Sequence, residues 1–120
     1  MMRMHDVKAT EIRLRQRSRL LEVSFDDGSR YELPFELLRV HSPSAEVQGH
    51  SREQRVLVTG KQDVLVQAVE PVGQYAVKLS FDDGHDTGLY TWKYLYELGS
   101  QREELWSAYR ARVAAAGLRS

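Results

Sequence analysis

The chain has 120 residues, with 17 Lys+Arg balanced by 17 Asp+Glu and a formal net charge of zero. Its length corresponds to a single domain, and a composition of 42% hydrophobic and 28% charged residues argues against wholesale disorder. The absence of cysteine excludes disulfides, thiolate nucleophiles and any zinc site that uses sulfur, and no stretch approaches the roughly 20 apolar residues that cross a bilayer.

The amino-terminal region carries no apolar segment of the kind that begins a secreted protein, so we expect a cytoplasmic protein. Residues 10–15 alternate, with Ile12 and Leu14 on one face and charged side chains on the other. This period of two predicts a half-buried strand with one solvated, charged side. The polar residues 16–19 then predict a turn into a second strand over residues 20–25.

An internal repeat organises the middle of the chain. Residues 21–28, Leu-Glu-Val-Ser-Phe-Asp-Asp-Gly, recur at residues 77–84 as Val-Lys-Leu-Ser-Phe-Asp-Asp-Gly. Asp-Gly favours a tight hairpin turn, so each copy predicts a strand, a turn and a second strand. A short helix is predicted after each hairpin, because Pro34 suits the first turn of a helix and Thr91 suits an N-cap.

The connection between the two copies contains two further apolar runs. Residues 55–59 and residues 64–70 each predict a short strand, and Pro71 and Gly73 end the second one. No connection is long enough to hold a crossover helix, so antiparallel strands are favoured over parallel βαβ units.

The carboxyl-terminal part changes to a helical period. From Arg102 to Ala116 the apolar residues fall on one stripe of an α-helix. Ser100 and Glu103 form a capping-box pattern, and Gly117 stands where a helix-ending glycine belongs. The whole chain therefore predicts a single α+β domain, an antiparallel meander of hairpins with short helices and a C-terminal helix.

Residues 41–55 form the least regular stretch of the sequence and the first place to look for a site. The stretch is polar and contains two of the four histidines. A candidate metal site gathers histidines with one nearby carboxylate: His41, His50 and His85, with Glu46 or Asp86.

An iron site of two histidines and one carboxylate is the demanding form of that hypothesis. His85 and Asp86 are adjacent, whereas such a site usually separates its histidine and carboxylate by one residue. We therefore expect no bound cofactor and keep a metal-binding protein, with iron or zinc, as the alternative.

Motifs for catalysis and for nucleic-acid binding are not signalled. Asp26–Asp27 and Asp82–Asp83 lie in predicted turns, where carboxylates are exposed and have ordinary pKa values, unlike a glycosidase pair. The glycines form no phosphate-binding loop, and neither Ser42 nor Ser44 has a signalled base or oxyanion hole. The basic run Arg13–Arg19 has no interleaved aromatic side chain, so nucleic-acid binding is disfavoured.

An ordered set of segments resembles a known family. The segments are residues 37–46, Leu-Leu-Arg-Val-His-Ser-Pro-Ser-Ala-Glu; Gly60-Lys61; and residues 81–92, Phe-Asp-Asp-Gly-His-Asp-Thr-Gly-Leu-Tyr-Thr-Trp. They are similar to the γ-butyrobetaine hydroxylase-like N-terminal domain family, DUF971, over residues 7–99, which leaves residues 100–120 as a helical extension. Members of that family stand alone in bacteria, precede Fe(II)/2-oxoglutarate dioxygenases, or follow Mrp-like P-loop ATPases that handle iron–sulfur clusters.

In the hydroxylase, the resemblance implies a zinc module with three cysteines and one histidine. Its sulfur positions fall on Ser42, Ser44 and Val47, and its histidine falls on His85. One retained histidine cannot hold zinc structurally. We therefore expect the core to hold the module together, with Ser42 and Ser44 hydrogen-bonding the loop, and we do not expect hydroxylase activity because the sequence contains no dioxygenase barrel.

Together these observations predict a non-enzymatic cytoplasmic interaction or accessory module that binds a partner protein or itself, and not a membrane. The resemblance implies a setting in iron–sulfur protein handling; the alternative is a metal-binding protein or an accessory domain of Fe(II)/2-oxoglutarate-type oxygenases. The candidate functional residues are those of the loop and its neighbours: Arg39, His41, Ser44, Glu46, His50, His85 and Trp92. Among them, a core position is favoured for Trp92, and an ion pair of Arg39 with Glu46 is the structural alternative.

Overall fold

The computed structural model describes residues 7–44 and 57–117. Its elements follow in chain order as β1 (Ala9–Arg15), β2 (Leu20–Phe25), β3 (Arg30–Pro34), α1 (Phe35–Val40), β4 (Val66–Val72), β5 (Ala76–Phe81), β6 (Leu89–Thr91), α2 (Trp92–Ser100) and α3 (Arg102–Ala115). The strands form two antiparallel three-stranded sheets, β1-β2-β3 and β4-β5-β6, so the predicted α+β fold of hairpins with a C-terminal helix is confirmed. Within the described ranges, no helix is both long and apolar enough to span a bilayer.

The two halves of the described chain repeat the same structural unit. The first unit consists of β1, β2, β3 and α1, and the second unit consists of β4, β5, β6 and α2. Both outer strands carry a register shift near their start. The first residue of each short helix bonds to the turn that joins the first two strands of its unit. Phe35 N donates to Arg19 O at 2.9 Å, and Trp92 N donates to Tyr75 O at 2.8 Å.

The two Asp-Asp-Gly turns are held by equivalent bonds. The glycine of each turn has a positive φ, 89° in the first and 90° in the second, which is the region that glycine adopts at low cost. Asp27 Oδ1 accepts the backbone N–H of Ser29 at 2.9 Å. Asp83 Oδ1 likewise accepts the backbone N–H of His85 at 3.1 Å. The sequence repeat is therefore a structural repeat down to its turn hydrogen bonds.

Both units contribute to one hydrophobic core. The completely buried side chains come from strands and helices of both units: Leu21, Val23, Leu33, Phe35, Leu37, Leu38, Val66, Leu79, Tyr90 and Leu95. Ile12 and Leu14 pack against this core while Arg13 and Arg15 are exposed, so the alternation predicted for the first strand is confirmed. The Tyr90 hydroxyl donates to Leu38 O at 2.5 Å and joins β6 of one unit to α1 of the other.

The carboxyl-terminal helix α3 packs on the end of α1. Tyr109 is buried against Val40, and its hydroxyl donates to Val58 O at 2.7 Å. A strand was predicted over residues 55–59, and its described part, residues 57–59, forms none. The physical reason is this contact, because a carbonyl of the segment bonds with a side chain of α3 instead of with a neighbouring strand.

Two predicted element ends are wrong. β4 continues through Pro71, because a strand at the edge of a sheet tolerates a residue that cannot donate to a ladder. The predicted capping box does not form: Gln101 precedes α3, and Ser100 closes α2, where its hydroxyl donates to Glu97 O at 3.3 Å. The glycine after α3 is confirmed, since Gly117 has a φ of 72°.

Candidate functional site

Each short helix contacts the Asp-Asp-Gly turn of the other unit. Arg39, the fifth residue of α1, donates from Nε to Asp83 Oδ2 at 2.8 Å. Tyr96, the fifth residue of α2, donates from its hydroxyl to Asp27 Oδ2 at 2.7 Å. The two contacts are equivalent in position but differ in chemistry: one is an ion pair, and the other is a hydrogen bond from a neutral hydroxyl. The two units therefore differ in the side chain that contacts each turn.

The turn of the first unit lies beside an aromatic cluster. The ring of Tyr96 meets the ring of Phe25 at 5.1 Å and the ring of Tyr31 at 5.5 Å between centroids, both edge to face. Such pairs stabilise beyond the area that they bury. The contact between α2 and the turn of the first unit is therefore stabilised mainly by aromatic packing.

The turn of the second unit carries a charged cluster, Arg39, Lys61 and Asp83. Asp83 Oδ2 accepts from Arg39 Nε at 2.8 Å and from Lys61 Nζ at 2.6 Å. The side chains of Asp83 and Arg39 are only 19% and 12% exposed, so the pair is stronger than an ordinary surface ion pair. Because one carboxylate meets two cations, the cluster carries one surplus positive charge.

Sequence reasoning placed Asp83 in an exposed turn with an ordinary pKa; the turn is confirmed, and the ordinary pKa is wrong. Desolvation of its carboxylate opposes ionisation, but hydrogen bonds from Lys61, from the backbone N–H of His85 and from Arg39 outweigh it. They lower the pKa of Asp83 to about 2. The signal that could have revealed this is the repeat itself, which sets Arg39 where the other unit has Tyr96.

The lowered pKa of Asp83 predicts an acid-dependent loss of stability. A carboxylate with a folded pKa below its unfolded value of 3.8 stabilises the fold above that value and loses its contribution as the pH falls toward 2. The full shift corresponds to about 2 kcal/mol, which solvent screening reduces to about 1 kcal/mol. Urea unfolding at about pH 5 and about pH 2 is expected to show a loss about 1 kcal/mol larger in the wild type than in Asp83→Asn; an equal loss would contradict the assignment.

A buried polar cluster adjoins the charged one. We call it the hydroxyl–histidine cluster, and it consists of Ser42, Ser44, His85 and Thr87. Ser42 Oγ lies 2.8 Å from His85 Nε2 and accepts the backbone N–H of Ser44 at 3.2 Å. Ser44 Oγ lies 2.7 Å from Thr87 Oγ1. These bonds tie the chain after α1 to the chain after the second turn, in line with the expectation that the two serines hydrogen-bond the loop.

Three members of the hydroxyl–histidine cluster, Ser42, Ser44 and His85, are buried, whereas Thr87 is exposed. Ser42 is 0% exposed and His85 is 6% exposed, so their contact is a structural bond and not a nucleophile open to a substrate. Gly88 permits Ser42 and Tyr90 to pack closely against the backbone at residue 88. A Cβ at this position would lie 2.5 Å from Ser42 Oγ and 3.1 Å from the ring of Tyr90.

Replacing Ser42 with alanine is expected to lower the free energy of unfolding by about 1–2 kcal/mol, because it removes two hydrogen bonds from buried partners. Urea unfolding followed by tryptophan fluorescence measures the effect. The control is Ser107→Ala on the exposed side of α3, expected to change stability by less than about 0.5 kcal/mol. Equal effects of the two substitutions would show that the cluster contributes nothing.

The zinc positions implied by the resemblance fall in this cluster, and the residues present do not fit the ion. Serine hydroxyls stand at two of the sulfur positions, and Val47, at the third, has no ligating atom and lies outside the described residues. Ser42 Oγ and His85 Nε2 are in direct contact at 2.8 Å, whereas two ligands of one zinc ion stand about 3.3 Å apart. The four residues of the cluster are joined to one another by hydrogen bonds.

The other predicted site residues lie only in part within the described ranges. Glu46 and His50 lie outside the described residues. The backbone carbonyl of His41 accepts a hydrogen bond from the Tyr94 hydroxyl. The imidazole ring of His41 faces the ring of Tyr109, with 6.5 Å between the centroids. Asp86 is exposed, and the described ranges contain no group of three or more His, Asp or Glu side chains able to hold a metal ion.

A groove of about 650 Å³ separates β1 from β4, the outer strands of the two sheets. Ile12 and Leu14 line one wall and Ala68 and Val69 line the other. At one end, Gln16 Nε2 donates to the first carbonyl of β4 at 2.6 Å. Sequence reasoning missed the groove, because it depends on how the two sheets stand relative to each other.

Trp92 lies in this groove and not in the interior. Its side chain is half-buried, packs against the core and lines the groove beside Val77. Its indole N–H donates to Gln74 O at 2.8 Å. A core role was favoured for Trp92; the structure gives it one face on the core and one on an open surface.

Comparison with known proteins places the chain in a family. The model of the γ-butyrobetaine hydroxylase-like N-terminal family matches residues 12–96, and the comparison with curated proteins gives no match. A protein solved by NMR is 55% identical over 95% of this chain and 85% of its own, with a TM-score of 0.83. A second NMR structure is 52% identical over 92% of this chain and 87% of its own, with a TM-score of 0.80.

A third structure similar to this chain is the crystal structure of a protein of unknown function of the DUF971 family from Acidithiobacillus ferrooxidans. It is 46% identical over 77% of this chain and 92% of its own, with a TM-score of 0.65. The repeat, the turn contacts and the segments after α1 and β5 all fall within the region that the family model matches. The chain belongs to the γ-butyrobetaine hydroxylase-like N-terminal domain family.

Proposed function

We propose that this protein is a non-catalytic cytoplasmic interaction module that binds a partner protein at the groove between β1 and β4. The observation that carries the proposal is the contrast between the two candidate sites. Ser42, Ser44 and His85 of the hydroxyl–histidine cluster are buried and take part in internal bonds, whereas the groove presents apolar side chains to solvent. An accessible apolar groove on a small domain is typical of a binding surface.

The setting we propose is an accessory role in iron–sulfur protein handling. Family membership supports this setting, since members of the family occur fused to dioxygenases and to P-loop ATPases that handle iron–sulfur clusters. A module that contributes a surface and no chemistry fits such an arrangement.

Position-specific photo-crosslinking in the native cell tests the interaction. A photoreactive amino acid replaces Ala68 in the groove of the full chain, and a matched variant carries it at Ser107 on the exposed side of α3. The expected result is one discrete adduct from position 68 that is absent from position 107. No adduct from either position, or the same adducts from both, would contradict the proposal.

A further inference from the structure

β1 is an edge strand of its sheet in the part of the chain that the structure describes. It is seven residues long, contains no proline, and pairs with β2 on one side only, since it stands first in its sheet. Along its other side, no strand among the described residues satisfies the outward N–H and C=O groups. A row of such groups is a template for an added strand.

β4 faces β1 across the groove and is the matching edge of the second sheet. It also contains seven residues and is also first in its sheet. An occupant of the groove has a strand edge on each side, which favours a single extended strand. A second copy of this chain does not meet that condition, because its own β1 carries β2 alongside.

The charges beside the groove select the occupant. Glu11, Arg13 and Arg15 share the solvent-facing side of β1, and the two arginines are 56% and 45% exposed. On β1 itself two arginines stand beside one glutamate, so the edge that an added strand would meet carries more positive than negative charge. Acidic side chains on an added strand would stand directly opposite these arginines, and cross-strand pairs of opposite charge are stabilising.

We propose that the groove binds one extended segment of the partner protein as an added strand beside β1, with alternate apolar residues on Ile12 and Leu14 and alternate carboxylates on Arg13 and Arg15. The inference rests on the proposed function and gives the chemistry of its partner. Main-chain hydrogen bonds supply part of the affinity, and the alternation supplies the specificity.

Synthetic peptides test the inference on the full chain. The probe is a peptide of about nine residues that alternates valine and glutamate, followed by amide chemical shifts in two-dimensional NMR. Shifts concentrated in β1 and β4 are expected, with affinity about tenfold above that of the valine–lysine peptide of the same length. N-methylation of alternate backbone amides is expected to abolish binding.

Charge reversal provides the second variant. The double substitution Arg13→Glu/Arg15→Glu lies on exposed side chains and is expected to invert the preference, so that the valine–lysine peptide binds more tightly. Equal affinity for both peptides, shifts outside β1 and β4, or no shift at about 1 mM peptide would overturn the inference. Tighter binding after removal of residues 1–6 would overturn it as well, by assigning the groove to the chain's own first residues.

The two proposals fail separately. A partner crosslinked at position 68 together with silent peptides would leave the interaction module in place and reject the added strand. Peptide binding in β1 and β4 without a crosslinked partner would support the strand chemistry and contradict a cellular partner at this groove.

Discussion

Replacing Gly99 with alanine is expected to lower the free energy of unfolding by about 2–3 kcal/mol, measured by urea unfolding. Gly99 lies in α2, where alanine alone would stabilise a helix by about 1 kcal/mol. The loss arises because the new Cβ would lie 2.6 Å from Cβ of Tyr31, on β3 of the other unit. Both atoms are fixed to the backbone, so a rotamer change relieves nothing and α2 must move away from the first sheet.

The matched control removes the obstacle. In a Tyr31→Gly background, which has no Cβ at position 31, the same Gly99→Ala substitution is expected to be neutral or stabilising, because only the helix preference remains. A loss of the same size in both backgrounds would show that the close approach of α2 to β3 does not limit the packing of the two units.

Replacing Asp83 with asparagine is expected to cost about 2 kcal/mol in urea unfolding at neutral pH. The substitution keeps the shape of the side chain and removes the charge that neutralises Arg39 and Lys61. Two cations would then face each other without a carboxylate, one of them on a side chain only 12% exposed. Leaving a charge mostly buried and unneutralised is costly.

The equivalent substitution in the first unit is the control. Asp27→Asn occupies the same position in its turn but meets only the hydroxyl of Tyr96 from the other unit, so it is expected to cost clearly less than Asp83→Asn. If both aspartates cost the same, the difference between the charged and the aromatic sides has no energetic meaning.

Local features of the fold could be predicted because they depend on neighbouring residues. The Asp-Asp-Gly repeat predicted both hairpins, and Thr91 predicted the start of α2, where its Oγ1 accepts the backbone N–H of Tyr94 at 3.0 Å. Period-two alternation placed Ile12 and Leu14 on the buried side of β1.

Features that depend on tertiary position could not be predicted in this way. Pro71 usually ends a strand, and β4 includes it because the strand is at an edge. The carboxylate of Asp83 is drawn out of solvent by Arg39, which is far away in sequence. The groove exists only where two sheets meet.

The candidate site was predicted in part. Arg39, Ser44 and His85 do lie together around the second turn, whereas Lys61 and Thr87 were not singled out. A buried cluster of this kind combines segments from both units, and a sequence pattern gives no distance between them. The open surface beside Trp92 was missed for the same reason.

We expect the two units to hold each other through packing, the charged cluster and the hydroxyl–histidine cluster, without a coordinated ion. Elemental analysis of protein purified without an affinity tag, combined with thermal unfolding before and after chelation, tests it most directly. We expect no stoichiometric metal and the same unfolding temperature with and without the chelator. A tightly held ion in every chain, with a lower unfolding temperature once it is removed, would contradict it.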